Sequence, residues 1–147
     1  MDALDRKILN IMQKNSRITV KQIAEECFIS SPSVSVRLQN LESLGYIRTY
    51  QAVLDHQKLG FLIKAYVNCA VNAKDKQDFY RYIEEIPNVV ECDCITGDYS
   101  MLLKVYYSNT IELDEFNNDL QRFGDTKTQI VFSTNVGPRG LQIQINE

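Results

Sequence analysis

The chain has 147 residues, of which 44% are hydrophobic and 24% are charged, and its formal net charge is -3. This composition excludes a largely disordered protein and leaves room for one domain or two small ones. No apolar run reaches the roughly 18 residues that a membrane span needs, and the N-terminal sequence MDALDRKIL lacks the pattern of a signal peptide. We therefore expect a protein that acts in the cytoplasm and has no membrane partner.

The cysteines and the only histidine do not follow a metal-binding or catalytic pattern. No two of Cys27, Cys69, Cys92 and Cys94 have C-x-x-C spacing, and His56 stands apart from them. Zinc and a disulfide framework are therefore not expected, and Cys92 and Cys94 are predicted to face the core as small apolar residues. No set of nucleophile, base and metal ligands converges, so neither an enzyme nor a cofactor is expected.

The net charge is unevenly distributed along the chain. Residues 1–60 contain eight Lys/Arg and six Asp/Glu, a balance of +2, whereas residues 61–147 contain eight and thirteen, a balance of -5. A phosphate backbone needs a local basic surface rather than a basic chain. Because the first half is only mildly basic, we expect modest affinity per subunit and dependence on dimers or larger assemblies. The side chains that can supply this surface are Lys14, Arg17, Lys21, Arg37 and Arg48.

Two capped helices are predicted before residue 28. Asp5 is placed to cap the first helix, and Thr19 with Gln22 has the spacing of a capping box for the second. Both helices have an apolar stripe at helical spacing, which predicts that they pack on one side. The stripes are Ile8, Leu9 and Met12, followed by Val20, Ile23, Ala24 and Cys27.

A third helix is predicted after an abrupt turn at residues 28–30. Ser31 is expected as its N-cap and Pro32 as its first residue, where no backbone amide is missed. Gly45 suits the left-handed position beyond its end. Residues 18–47 are therefore predicted to form a helix-turn-helix. The inward stripe of the third helix is Val34, Leu38 and Leu41, together with the stem of Arg37.

The outward arc of the third helix carries small, uncharged side chains that form hydrogen bonds, and one aliphatic side chain. Asn and Gln can pair with adenine, Ser with several bases, and an aliphatic group with the thymine methyl. For an isolated helix such an arc would indicate only a solvated face, but the preceding helices and the tight turn favour DNA reading. The arc is centred on Pro32, Val36, Gln39 and Ser43 and flanked by Ser33, Ser35 and Asn40.

A boundary is predicted near Gly60. Residues 46–54 are rich in β-forming side chains, and they predict either a wing or a strand that links two domains. Residues 56–60 form a polar bend that ends in glycine. We therefore expect a DNA-binding domain with a β linker at residues 1–60 and a second domain at residues 61–147.

The second domain has the predicted order β-α-β-β-α-β. This order is the ferredoxin-like α+β sandwich, in which two helices cover one face of the sheet. Strands are predicted at residues 61–71, 89–96, 101–106 and 126–136, and helices at residues 75–85 and 110–123. The last helix is expected to bury Ile111, Leu113, Phe116, Leu120 and Phe123.

The sheet face away from the helices is rich in aromatic side chains and carries both charge signs, so it is a candidate for pairing with a second copy. A two-fold dimer would place two recognition helices at half-sites about one helical turn, or a multiple, apart. The residues of this outer face are Lys64, Tyr66, Asn68, Glu91, Asp93, Leu102, Lys104 and Tyr106.

Short segments across both predicted domains carry a family resemblance. They are LDRKIL at 4–9, NSRI at 15–18, ISS at 29–31, LE at 41–42, GYI at 45–47, LG at 59–60, TGDY at 96–99 and LLKV at 102–105. Together they resemble the Lrp/AsnC family, the bacterial and archaeal feast/famine regulators. The resemblance implies a transcription regulator whose winged or strand-tailed helix-turn-helix binds double-stranded DNA. It also implies homodimers that assemble to tetramers or octamers, and an amino acid bound between protomers.

The expected site residues follow from the helix arc and from the resemblance. For DNA they are Lys21, Ser31, Ser33, Ser35, Val36, Arg37, Gln39, Asn40 and Arg48. For the amino-acid effector they are the turn Gly97, Asp98, Tyr99 and Ser100, together with Thr134. Asp98 would accept from an ammonium group, turn amides would meet a carboxylate, and Tyr99 would line the pocket. By themselves, Gly97 and Asp98 indicate only a hairpin turn.

A rival interpretation belongs to another class of protein. The chain would then be a small-molecule-binding module that acts on a protein partner, and its helical domain would make that contact. Binding to DNA separates the two interpretations.

Overall fold

A computed structural model describes residues 1–145. The chain divides into two compact units: a helical unit of Met1–Val53 joined by the residues from Val136 onward, and a sheet unit of Leu54–Asn135. This division differs from the boundary expected at residue 60, because residues 54–60 group with the sheet and the residues after Asn135 group with the helices. Within residues 1–145, no helix is long and apolar enough to cross a membrane.

The helical unit consists of α1 (Ala3–Lys14), α2 (Val20–Cys27) and α3 (Ser31–Ser43). Its core is continuous across the three helices, so the predicted apolar stripes face one another. The buried residues are Ile8, Leu9, Ile23, Ala24, Cys27, Val34 and Leu41. Helix α3 packs against α2, and α2 packs against α1. The helix-turn-helix is therefore a packed unit rather than two separate helices.

Two of the predicted helix starts are displaced. Asp2, not Asp5, caps α1: its side chain accepts from the amide of Asp5, and the Asp5 side chain accepts from the amide of Asp2. Ser30, not Ser31, caps α3 through the amide of Ser33. In both cases a residue of the same type lies one or three positions away, which spacing alone does not distinguish. The capping box of Thr19 and Gln22 is present as predicted.

The linker does not form a strand. Gly45 is left-handed at φ +74, as predicted, but residues 46–62, all of which the structure describes, contain no strand. A single extended segment has no β structure without a partner strand, and none of the strands of this chain pairs with it. The predicted β linker is therefore an extended connection in the isolated chain.

The sheet unit has the predicted βαββαβ order. Its elements are β1 (Ile63–Cys69), α4 (Lys76–Glu84) after a 3-10 turn at Ala73–Asp75, β2 (Val89–Cys94), β3 (Met101–Tyr107), α5 (Thr110–Leu120) and β4 (Thr126–Ile130). The antiparallel sheet has the order β2-β3-β1-β4. Along β3 every second residue, beginning with Met101, is buried, as expected for a sheet covered by helices on one face.

Three details of the sheet unit differ from the predictions. Ile111 is 70% exposed rather than buried, because two helical positions turn it about 200° from the buried Leu113. Strand β4 ends at Ile130 instead of residue 136. Cys92 packs against the core, but Cys94 is exposed at the end of an edge strand, so only one of the two thiols faces inward.

Candidate nucleic-acid interface and ligand turn

Helix α3 is held by its inward stripe and presents its other face outward. Val34 is fully buried and Leu41 is 2% exposed, so the rotation of the helix about its axis is fixed. On the outward face, Val36 is 56% exposed, and Gln39 and Asn40 are exposed as well. The three side chains in the middle of the predicted reading arc are therefore available to a partner.

The start of α3 is more constrained than its middle. Ser31, Ser33 and Ser35 are each half-buried. The Ser35 hydroxyl donates to the carbonyl of Ser31 at 3.2 Å, which leaves its oxygen free to accept from a base or a phosphate. The predicted phosphate contacts Lys21 and Arg48 are exposed. The role of these residues in binding DNA stays a prediction.

Arg37 has a different position from the one expected. Its guanidinium turns toward α1 and pairs with Asp2 at 2.7 Å and with Asp5 at 2.6 Å. These are the two carboxylates of the α1 capping box, so one residue of α3 joins the helix start that braces it. The hydrogen bond from the amide of Asp5, followed by the Arg37 guanidinium, lowers the pKa of the Asp2 carboxyl. The same carboxylates raise the pKa of Arg37.

An apolar cleft lies beside the reading arc. Its volume is about 650 Å³. Three residues that line the cleft, Met1, Leu44 and Tyr46, were not predicted from the sequence, because they lie beyond the ends of the helices and outside their apolar stripes. They are 50%, 70% and 52% exposed, and they give the cleft a hydrophobic wall. The cleft is lined by Met1, Asp5, Pro32, Ser33, Val36, Arg37, Asn40, Leu41, Leu44 and Tyr46.

The end of α3 is tied to the extended linker. The Tyr50 hydroxyl donates to the carboxylate of Glu42 at 2.7 Å. Burial, and then the hydrogen bond to Glu42, raise the pKa of Tyr50 to about 12. This bond holds the beginning of the linker against the recognition helix.

The predicted effector residues do not lie together in one chain. Gly97 is left-handed at φ +111, Asp98 is exposed, and Tyr99 is half-buried. Ser100 is occupied inside the unit: its hydroxyl accepts from the amide of Val71 at 2.9 Å and donates to the Val71 carbonyl at 2.9 Å. This ties the turn to the end of β1.

Thr134 lies at the opposite end of β1. Its hydroxyl accepts from the ammonium group of Lys64 at 3.0 Å, whereas Cys69, the last residue of β1, pairs with Met101 next to the turn. Five residues of strand span roughly 17 Å. Thr134 and the turn of the same chain therefore cannot contact one small ligand.

The residues described by the structure hold no group of three or more His, Cys, Asp and Glu that could bind a metal ion. The described surface carries a helix with exposed amide side chains, cations beside it, and a glycine turn with an exposed carboxylate.

Comparison with known proteins agrees with both parts of this geometry. Residues 1–48 match the family model for winged helix-turn-helix DNA-binding, and residues 64–140 match the model for the Lrp/AsnC ligand binding domain. The HTH-type transcriptional regulator LrpC of Bacillus subtilis is 30% identical over 133 residues, covering 90% of this chain and 92% of LrpC. LrpA of the same organism is 32% identical over 132 residues, covering 89% of this chain and 97% of LrpA.

Solved structures have the same fold. The B. subtilis LrpC structure matches with a TM-score of 0.88 at 29% identity and covers 94% of this chain and 99% of that chain. A feast or famine regulatory protein from M. tuberculosis, complexed with L-methionine, matches with a TM-score of 0.90 at 23% identity and covers 97% and 99%.

The helix-turn-helix and the ferredoxin-like unit define a DNA-binding transcription regulator with a separate ligand-binding domain. The matches over both units place it more closely: the chain belongs to the Lrp/AsnC family. The relatives that it matches are transcription regulators.

The ion pairs of Arg37 generate a test of its role. We expect Arg37→Ala to lower the melting temperature and weaken DNA binding without changing the salt dependence, because the guanidinium braces α3 and does not neutralise a phosphate. Arg48→Ala is the matched control and should reduce the slope of log affinity against log salt by about 1. Fluorescence anisotropy at several salt concentrations measures both. A slope reduced equally by the two variants would contradict the bracing role.

Proposed function

We propose that α3 reads bases in the major groove through Val36, Gln39 and Asn40. The observation that carries this proposal is the outward face of α3: exposed, uncharged side chains on a helix whose rotation is fixed by Val34 and Leu41. Gln and Asn amides can bond adenine in a bidentate manner, and an aliphatic side chain can contact the thymine methyl. This combination supports a preference for A·T base pairs.

The remaining predicted residues have positioning roles in this proposal. Ser31, Ser33 and Ser35 lie at the N-terminal end of α3, where backbone amides favour an approaching phosphate. Lys21 on α2 and Arg48 on the linker contribute positive charge, which binds the phosphate backbone without reading sequence. Since the target is DNA, we place the protein in the cytoplasm.

Two substitutions separate base reading from backbone contact. Gln39→Ala should weaken binding to a specific site roughly five- to a hundredfold and leave binding to random DNA nearly unchanged. Lys21→Ala should weaken both by similar factors. Competition between specific and random duplexes in an anisotropy assay measures the ratio. If Gln39→Ala weakened binding to both duplexes equally, Gln39 would not read bases.

We propose that the sheet unit binds an amino acid at the turn of Gly97, Asp98 and Tyr99. The match to a ligand-binding domain and the L-methionine complex of a protein with the same fold support this proposal. An exposed carboxylate at Asp98 can accept from an α-ammonium group, and the turn amides can meet an α-carboxylate. Ser100 supports the turn from behind through Val71 and need not touch the ligand.

The separation of Thr134 from the turn favours a site built from more than one chain. A ligand held at Asp98 can reach a Thr134 side chain only if a second protomer presents it. We therefore propose that any amino acid binds between protomers, so that the ligand and the assembly are thermodynamically linked.

We further propose a homodimer formed through the sheet unit, with tetramers or octamers built from it. On the outer sheet face Tyr66 lies opposite Lys104 and Lys64 opposite Tyr106, so aromatic and cationic side chains alternate. Leu59 and Leu62 are 57% and 64% exposed, and Phe132 is fully exposed. Apolar side chains this exposed are costly in a monomer and favour burial against another copy. A dimer also supplies two recognition helices, which offsets the low charge of each.

Ligand binding is tested by thermal shift with each of the twenty amino acids, starting with L-methionine. A ligand of the folded protein should raise the melting temperature, and above Kd the rise should grow with the logarithm of the ligand concentration. Asp98→Ala should abolish the shift and leave DNA binding by the unliganded protein intact, whereas Asp114→Ala, an exposed carboxylate on α5, should retain it. If no amino acid shifts the wild type, the sensing role is refuted.

A further inference from the structure

The chain returns to the helical unit after β4. Residues 141–145, which we call the return segment, lie along α1 and belong to the same compact unit as the three helices. The two family models end at residues 48 and 140, so neither of them covers this segment.

One face of α1 binds the backbone of the return segment. Asn10 makes a two-point contact with Ile143: its amide nitrogen donates to the Ile143 carbonyl at 2.8 Å, and its carbonyl oxygen accepts from the Ile143 amide at 2.9 Å. Gln13 donates to the carbonyl of Leu141 at 2.9 Å. Arg6 donates to the carbonyl of Gln144 at 3.0 Å.

These three α1 residues have the spacing of one helix face, at positions i, i+4 and i+7. The segment runs antiparallel to the helix, and the bonds engage its backbone, as a neighbouring strand would. Only one side chain of the segment contributes to the core, because Ile143 packs against the buried cluster of the helices. The Ile143 side chain therefore attaches the segment to the hydrophobic core, and the side chains of Arg6, Asn10 and Gln13 bind its backbone.

The contact buries little apolar surface. Leu141 is 85% exposed and Ile145 is 47% exposed, so the half-buried Ile143 is the one side chain of the segment that packs against the core. A cleft of about 1030 Å³ lies beside the segment. It is lined by the end of α1, by residues 46–53, and by Leu141 and Ile143. A segment with few buried apolar contacts opens at a lower free energy than the core it covers.

Helix α1 connects the return segment to the recognition helix. On one face it binds the return segment through Arg6, Asn10 and Gln13, and at its N-terminus Asp5 pairs with Arg37 of α3 at 2.6 Å. Movement of α1 is therefore passed to α3 through a short ion pair. Residues 136–140 join the return segment to the end of the sheet unit, so its non-covalent contacts with α1 provide a second connection along the chain to the DNA-reading helices.

We propose that the return segment is a releasable strap: bound to α1, it supports the orientation of α3 and the affinity for DNA, and released, it lowers that affinity. The proposal rests on the DNA-binding function proposed above, but the docking and release of the segment are tested without DNA. Ligand binding or assembly in the sheet unit can then control the affinity for DNA by releasing the strap from α1.

The first measurement is native-state amide hydrogen exchange on the full chain. The Ile143 amide, bonded to Asn10, should be protected about tenfold or more relative to a free peptide, yet exchange faster than Val34 in the core and with weak dependence on urea. Lack of protection would overturn the docking. If the Ile143 amide exchanged only together with the Val34 amide, the return segment would be a permanent part of the domain, and its proposed release would be overturned.

The second measurement uses matched charge variants. Ile143→Asp should accelerate exchange along α1 and lower affinity for duplex DNA about fivefold, the size of coupling carried by packed side chains. Gln142→Asp adds the same charge at an exposed neighbour and should change neither quantity. Asn10→Ala, which removes the two-point contact with Ile143 without adding charge, should change both quantities in the same direction as Ile143→Asp.

Equal effects of Ile143→Asp and Gln142→Asp, or faster exchange in α1 with unchanged DNA affinity, would overturn the strap. If the wild type bound no duplex DNA, the family function would fail instead. The exchange data distinguish this outcome, because they do not depend on DNA.

Discussion

The burial of one side of α3 is the constraint on which the DNA-reading face depends. Val34 is fully buried and Leu41 nearly so, against a cluster that includes Ile8 and Ile23. A helix of 13 residues is marginal in isolation, and packing supplies most of its stability. Because the stripe fixes the rotation of the helix, it decides that Val36, Gln39 and Asn40 face outward. The ion pair between Arg37 and Asp5 adds a second, directional tie to α1.

Local and periodic features of the chain were predictable from its sequence. The capping box of Thr19 and Gln22, the glycine beyond α3 and the βαββαβ order are confirmed, because each depends on residues close in sequence or on one repeating period. Features that depend on distant residues were not predictable. Arg37 appeared as a free cation beside DNA, and only the folded chain places Asp2 and Asp5 next to it. The contact of Asn10 with Ile143 joins residues 133 positions apart.

The effector site was the least predictable part. The turn of Gly97 and Asp98 is local, so sequence locates it, but the pairing of β1 with β3 and β4 decides what else lies near. That pairing places Ser100 against the end of β1 and Thr134 against its start. Similarly, residues 46–54 have the composition of a strand, yet strand formation needs a partner that the single chain does not supply. Both observations support the proposal that a second protomer completes the site.

We propose that α3, a weakly charged helix, reads the DNA sequence and depends on a multimer for affinity. DNA recognition by this helix is tested most directly by comparing duplexes that the protein enriches from a random-sequence pool with unselected duplexes, in anisotropy titrations at several salt concentrations. We expect both affinities to fall with salt along straight log-log lines, with the enriched duplexes bound about a thousandfold more tightly. Affinity that is independent of salt, or equal for both pools, would contradict it.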